Sequence, residues 1–94
     1  MAQALPADLI RLTLPADPEM VKVLLVAVRV ASVRLGLSEY DVDAARSAAV
    51  AAFEELATDG ALAPVEVELL VLPTQLRVRL QLGDLERTVR VPSP

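Results

Sequence analysis

Residues 12–56 read LTLPADPEMVKVLLVAVRVASVRLGLSEYDVDAARSAAVAAFEEL, and this stretch decides the fold. It opens on the end of an alternating segment. Across residues 9–14, Ile10, Leu12 and Leu14 share one face and Leu9, Arg11 and Thr13 the other, the pattern of a half-buried strand. Asp17-Pro18 then announces a helix, with a capping oxygen followed by a proline at the first helical position, where its missing N–H costs nothing. That helix is expected to run to about Leu35 and to stop at Gly36. Its valines favour a strand locally, but the run is too long for an ordinary strand and contains no turn signal. The second helix has the fuller start signal. Ser38 caps, Asp41 can reach back three residues, and Leu37 against Val42 forms a hydrophobic staple. It is expected to continue to about Ala57, with Asp59-Gly60 as its stop and Val42, Ala45, Ala49, Ala52, Phe53 and Leu56 as its inward face.

Beyond Pro64 the period changes to two. Val65, Val67, Leu69 and Val71 alternate with Glu66, Glu68, Leu70 and Leu72, and then Leu76, Val78, Leu80 and Leu82 alternate with Arg77, Arg79 and Gln81. Keeping both apolar sets on one face requires an even number of loop residues. Pro73-Thr74 alone would put proline where primed hairpin turns want positive φ, so a four-residue loop over 73–76 is expected. Gly83-Asp84 suits a tight turn with glycine first, followed by a last strand over 85–91 that ends at Pro92. In that register Val89 faces Val78 and Val91 faces Leu76, while Arg87 falls on the apolar face opposite Leu80. Either Arg87 reaches out at the sheet's edge or the register differs there. The expected layout is β-α-α-β-β-β: an α+β two-layer sandwich, with a mostly antiparallel sheet of about four strands and two helices on one face. Residues 2–7 read as a loose end.

Composition bounds what such a domain does. The 94 residues suit one domain around one core, and 54% hydrophobic with 23% charged residues is a globular balance. A net charge of −4, a pI of about 4.6 and only two aromatic residues, Tyr40 and Phe53, argue against nucleic acid, which needs a basic footprint and, for single strands, stacking platforms. The absence of cysteine and histidine removes disulfides, thiolate and imidazole metal ligands, and histidine-based acid/base chemistry. The longest apolar runs, 23–28 and 48–53, are six residues each, too short to span a bilayer. No secretory signal is readable at the N-terminus, so a cytoplasmic location is the expectation.

The succession of a strand, LPADPEM, a long helix, RLGLSEYDVD and a second helix resembles the N-terminal part of bacterial anti-sigma regulatory factors, serine-protein kinases of the histidine-kinase-like (GHKL) ATPase superfamily. The resemblance covers residues 10–56, and the following hairpin in pattern only. It implies a glutamate on the second helix that acts on the attacking group, and four residues later an asparagine that helps hold magnesium and ATP phosphates. The spacing from Gly36-Leu37-Ser38 places these at Ala51 and Glu55, and neither matches. A methyl group accepts no proton, and a carboxylate in the amide's place repels phosphates. Sliding by one turn puts Glu55 in the acid's position and Asp59 in the amide's, which leaves a minimal ATP-binding serine-protein kinase as the alternative. The family's adenine-reading aspartate and spaced glycines are also missing. Gln81-Leu82-Gly83-Asp84-Leu85 keeps one glycine and sets Asp84 out of position, and no glycine-rich lid follows. The resemblance therefore implies a shortened, non-catalytic relative with no catalytic, cofactor-binding or metal residues.

Other candidates have plain explanations beside the functional ones. Glu54-Glu55 point about 100° apart on a helix and do not converge on a ligand. Asp41 and Asp43 lack the glycine and final glutamate of a calcium loop and suit a helix's first turn. Arg77, Arg79 and Arg90 form either an anion site on the sheet's polar face or, with Glu66 and Glu68 across the same face, a mixed-charge ladder.

The first helix carries the open question. Met20, Leu24, Ala27, Ala31 and Leu35 make one apolar stripe. Val23, Val26, Val30 and Val33 make a second, about 100° away, bordered by Lys22, Arg29 and Ser32. One sheet cannot cover both. Either the helix has a wide buried face, or Val23, Val26, Arg29, Val30 and Val33 form a contact face for another chain. The expectation is a protein-interaction module that binds a sigma factor or an antagonist protein, as the resemblance suggests, or a second copy of itself as a homodimer. Neither nucleic acid nor membrane is an expected partner.

Overall fold

A computed structural model describes residues 8–57 and 63–92. Strand β1 (Asp8–Leu14) leads through a 3₁₀ turn, Pro18–Met20, into helix α1 (Val21–Leu35). Helix α2 (Glu39–Ala57) and strands β2 (Val65–Val71), β3 (Gln75–Leu82) and β4 (Leu85–Pro92) follow. The four strands form one antiparallel sheet in the order β1-β2-β3-β4. Both helices lie on one face, α1 chiefly over β2 and α2 chiefly over β4. The expected β-α-α-β-β-β sandwich is thus the fold.

Local chemistry explains the helix limits. Asp17 Oδ1 accepts the Glu19 N–H at 2.9 Å, so the proline-led start tightens into 3₁₀ before α1 begins. At the other end Gly36 takes φ 83°. Its N–H donates to Val33 O at 3.0 Å, and that of Leu37 donates to Ser32 O at 3.1 Å, the paired bonds of a Schellman stop. Only glycine adopts that left-handed φ without strain. Ser38 Oγ then accepts the Asp41 N–H at 3.2 Å, and its hydroxyl donates to Asp41 Oδ2 at 3.2 Å, while Leu37 and Val42 are both buried beside this cap. The proposed stop at Asp59-Gly60 and the loose end at 2–7 lie outside the described residues.

The core is the inward side of the sheet against the helices. Val65, Val67, Leu69 and Val71 of β2 and Leu76, Val78, Leu80 and Leu82 of β3 are buried. They meet Leu24, Val28 and Ala31 of α1, and all six residues expected on the inward face of α2 are buried as well. Phe53 and Leu56 are fully enclosed. Burial on this scale contributes about 1.5–3 kcal/mol for each large side chain.

One connection differs from expectation. Val71 stands opposite Leu76, and the Leu72 N–H donates to Gln75 O at 2.9 Å, so the chain reverses over Pro73-Thr74 rather than over 73–76. The register is shifted by two residues, which leaves every side chain on its expected face. Among the described residues none other than glycine has positive φ, so this turn is not a primed one. The next turn follows expectation, with Gly83 at φ 59° and Asp84 at negative φ, the signs of a type II′ hairpin. Its register places Val78 opposite Val89, Leu76 opposite Val91 and Leu80 opposite Arg87, as read from the sequence.

Candidate functional site

Helix α1 is covered on one side only. Leu24, Val28, Ala31 and Ser32 are buried toward the sheet and α2, and Met20, Ala27 and Leu35 are half-buried. On the opposite side Val23, Val26, Val30 and Val33 are 42%, 63%, 41% and 61% exposed. The four valines are therefore not part of a wide buried face. Lys22, Arg29 and Arg34 are exposed around them. Two details escaped the stripe pattern. Val28 belongs to neither stripe yet is fully buried, and Ser32 lies inside rather than along the valine border. The helical wheel carried the signal, since both fall on the arc between Leu24 and the side facing α2.

A four-valine surface does specific physical work. Exposed apolar side chains occur singly on any protein, but a contiguous patch lowers its free energy by about 25 cal/mol for each Å² removed from water. A β-branched side chain also has little rotamer freedom to lose on docking. The flanking cations add long-range preference for an acidic surface.

Ala51, where the resemblance expects the catalytic acid, is exposed on the outer side of α2. It lines an open groove between the helices with Leu25, Asp43, Arg46, Val50 and Glu54, in which Arg46 Nη1 lies 3.7 Å from Asp43 Oδ1. Glu55, the acid of the alternative reading, turns away from that groove. Its Oε1 accepts from Arg87 Nε at 2.7 Å, while Arg87 Nη1 donates to Glu86 O at 2.9 Å. This answers the open question about Arg87: the register holds, and the guanidinium leaves the apolar face at the edge strand to meet α2. Asp59 lies outside the described residues. Among the described residues no three His, Cys, Asp or Glu side chains are grouped to hold a metal ion, and no helix is long and apolar enough to cross a membrane.

The open face of the sheet is a charge ladder. Arg11 Nε lies 3.3 Å from Glu68 Oε2, Arg79 Nη1 lies 3.8 Å from Glu68 Oε1, and Arg79 Nε lies 3.1 Å from Glu86 Oε2. Thr13 Oγ1 donates to Glu66 Oε1 at 3.0 Å. Arg79 therefore belongs to the mixed-charge ladder. Arg77 instead faces Arg90 across the strands, and among the described residues neither forms an ion pair. No protein-family model matches the chain, and no curated protein matches its sequence.

Proposed function

We propose that this chain is a non-catalytic protein-interaction module whose docking surface is the outer face of α1. The observation that carries the reading is the exposure of Val23, Val26, Val30 and Val33 on the side of α1 turned away from the core. Arg29, beside them, supplies orientation more than affinity, because rim charges act mainly on encounter and register. The resemblance to anti-sigma regulators suggests the class of partner, a sigma factor or an antagonist protein, in a regulatory role that needs no bound nucleotide.

The test uses Val26→Asp/Val30→Asp, two exposed positions where a carboxylate leaves the core intact but disrupts an apolar contact. Binding of the chain to purified sigma factors and antagonist proteins from the same genome, and to itself, is measured by light scattering and biolayer interferometry. The wild type binds one of them, and the double variant binds it at least tenfold more weakly. If the two substitutions leave every such association unchanged, α1 is not the docking surface.

A further inference from the structure

We infer that the occupant of the α1 face is a second copy of this chain, docked so that α1 of each copy lies on α2 of the other. The inference rests on the reading of α1 as a docking surface and adds what docks there.

The helical layer is electrically divided. Helix α1 carries Lys22, Arg29 and Arg34 and no acid, whereas α2 carries Glu39, Asp41, Asp43, Glu54 and Glu55 against Arg46 alone. The two helices lie side by side, so the outer surface of one molecule presents an apolar, basic strip next to an acidic one. Beyond Tyr40, which is 82% exposed in the first turn, the middle of the acidic strip is lined by small exposed residues, Ala44, Ser47 and Ala51, with Val50 half-buried at the groove. In the docked pair the valines of α1 rest on these small residues, and the cations beside them face a helix of net negative charge.

Symmetry then limits the choices. Two copies placed helix layer to helix layer about a two-fold axis pair α1 either with α1 or with α2 of the partner. The first arrangement sets a net-positive helix against its like and a net-negative helix against its like. The second sets opposite signs together at both contacts and closes the pair, because each copy supplies both surfaces. The sheet's open face offers no comparable division of charge, since Arg11 and Arg79 alternate there with Glu68 and Glu86, whereas α2 stays net acidic with Asp43 paired to Arg46 and Glu55 to Arg87.

Size predicts strength. Helices of 15 and 19 residues are about 22 and 28 Å long, and with axes about 10 Å apart they offer a footprint on the order of 500 Å² per copy. That lies below the ~800 Å² per partner of a standard interface, so the pair is reversible and concentration-dependent.

Sedimentation velocity over a concentration series tests this, with circular dichroism confirming the fold of each variant. The wild type is expected to dimerise as concentration rises. Lys22→Glu/Arg29→Glu makes both strips acidic, and Asp43→Lys/Glu54→Lys makes both basic, so each variant alone dimerises at least tenfold more weakly. An equimolar mixture of the two restores complementary contacts at both strips and dimerises like the wild type. A wild type that is monomeric at millimolar concentration overturns the inference. So does a Lys22→Glu/Arg29→Glu variant that dimerises as the wild type does, because α1 would then be resting on α1. A monomeric wild type whose binding to a sigma factor is still lost in Val26→Asp/Val30→Asp overturns the self-pairing while leaving the docking surface standing.

Discussion

Ser32 is the residue that the fold treats least well. It is fully buried beside Ala31 on α1, and its hydroxyl has no hydrogen-bond partner. Its carbonyl closes the helix through the Leu37 N–H, a role that any residue's backbone can fill. The side chain therefore contributes small size and an unsatisfied oxygen. A buried hydroxyl without a partner costs about 1–3 kcal/mol, and alanine is also the better helix former. Ser32→Ala removes one atom and leaves a void too small to matter beside those terms. We expect it to raise stability by about 1 kcal/mol, which for a domain of this size moves Tm upward by about 4–8 °C. Equilibrium urea denaturation checks the sign, and a loss of stability of the same size would show that the hydroxyl is bonded in solution.

Among the elements, the β3–β4 pair contains a contact that opposes the sheet. Arg77 and Arg90 stand directly across from one another, and Arg77 Nε is buried without a partner. Like charges at opposed positions are destabilising, and opposite charges there stabilise by roughly 0.2–1 kcal/mol. Arg90→Glu should therefore stabilise the fold by about that much at low salt, with the gain shrinking at high salt as screening grows. Thermal unfolding at the two ionic strengths measures it, and an unchanged Tm in both would mean that the guanidinium groups stay apart in solution. The elements also show why some features were legible and others not. Ser38 and Gly36 fix helix ends through bonds to residues one turn away, so their sequence signals were sufficient, and the inward face of α2 followed from a 3.6-residue period. The β2–β3 register was not fixed in this way. A period of two sets only the parity, and moving the turn from 73–76 to Pro73-Thr74 leaves every face unchanged. Arg87 was ambiguous for a different reason, because its partner Glu55 is on another element and far away in sequence. The second valine stripe was visible at once, but whether anything covers it depends on how the helices divide the width of the sheet, which no local pattern records.

For the whole molecule, the distribution of charge bears on nucleotide as strongly as on protein. The resemblance assigns ATP and magnesium to α2, yet here that helix is the acidic half of the helical layer, and the cations sit on α1. A triphosphate brought to the groove beside Ala51 would find Asp43 and Glu54 lining it, with Arg46 already turned to Asp43. Unit charges of the same sign 4 Å apart repel by about 1 kcal/mol even in bulk water and by more near a protein surface, so the groove disfavours phosphate unless magnesium compensates. Glu55, which the alternative reading places in the catalytic acid's position beside Asp59, would first have to leave Arg87. A ligand that binds only the folded state stabilises it by RT ln(1 + [L]/Kd), about 2.7 kcal/mol at a hundred times Kd. In a domain this small that is a Tm increase on the order of 10 °C, far above what a thermal-shift assay resolves. We expect millimolar ATP with Mg²⁺ to leave Tm unchanged within about a degree, in the wild type and in Glu55→Gln alike. A rise of several degrees in the wild type that Glu55→Gln abolishes would instead identify Glu55 as a nucleotide-site carboxylate, and α2 rather than α1 as the functional helix.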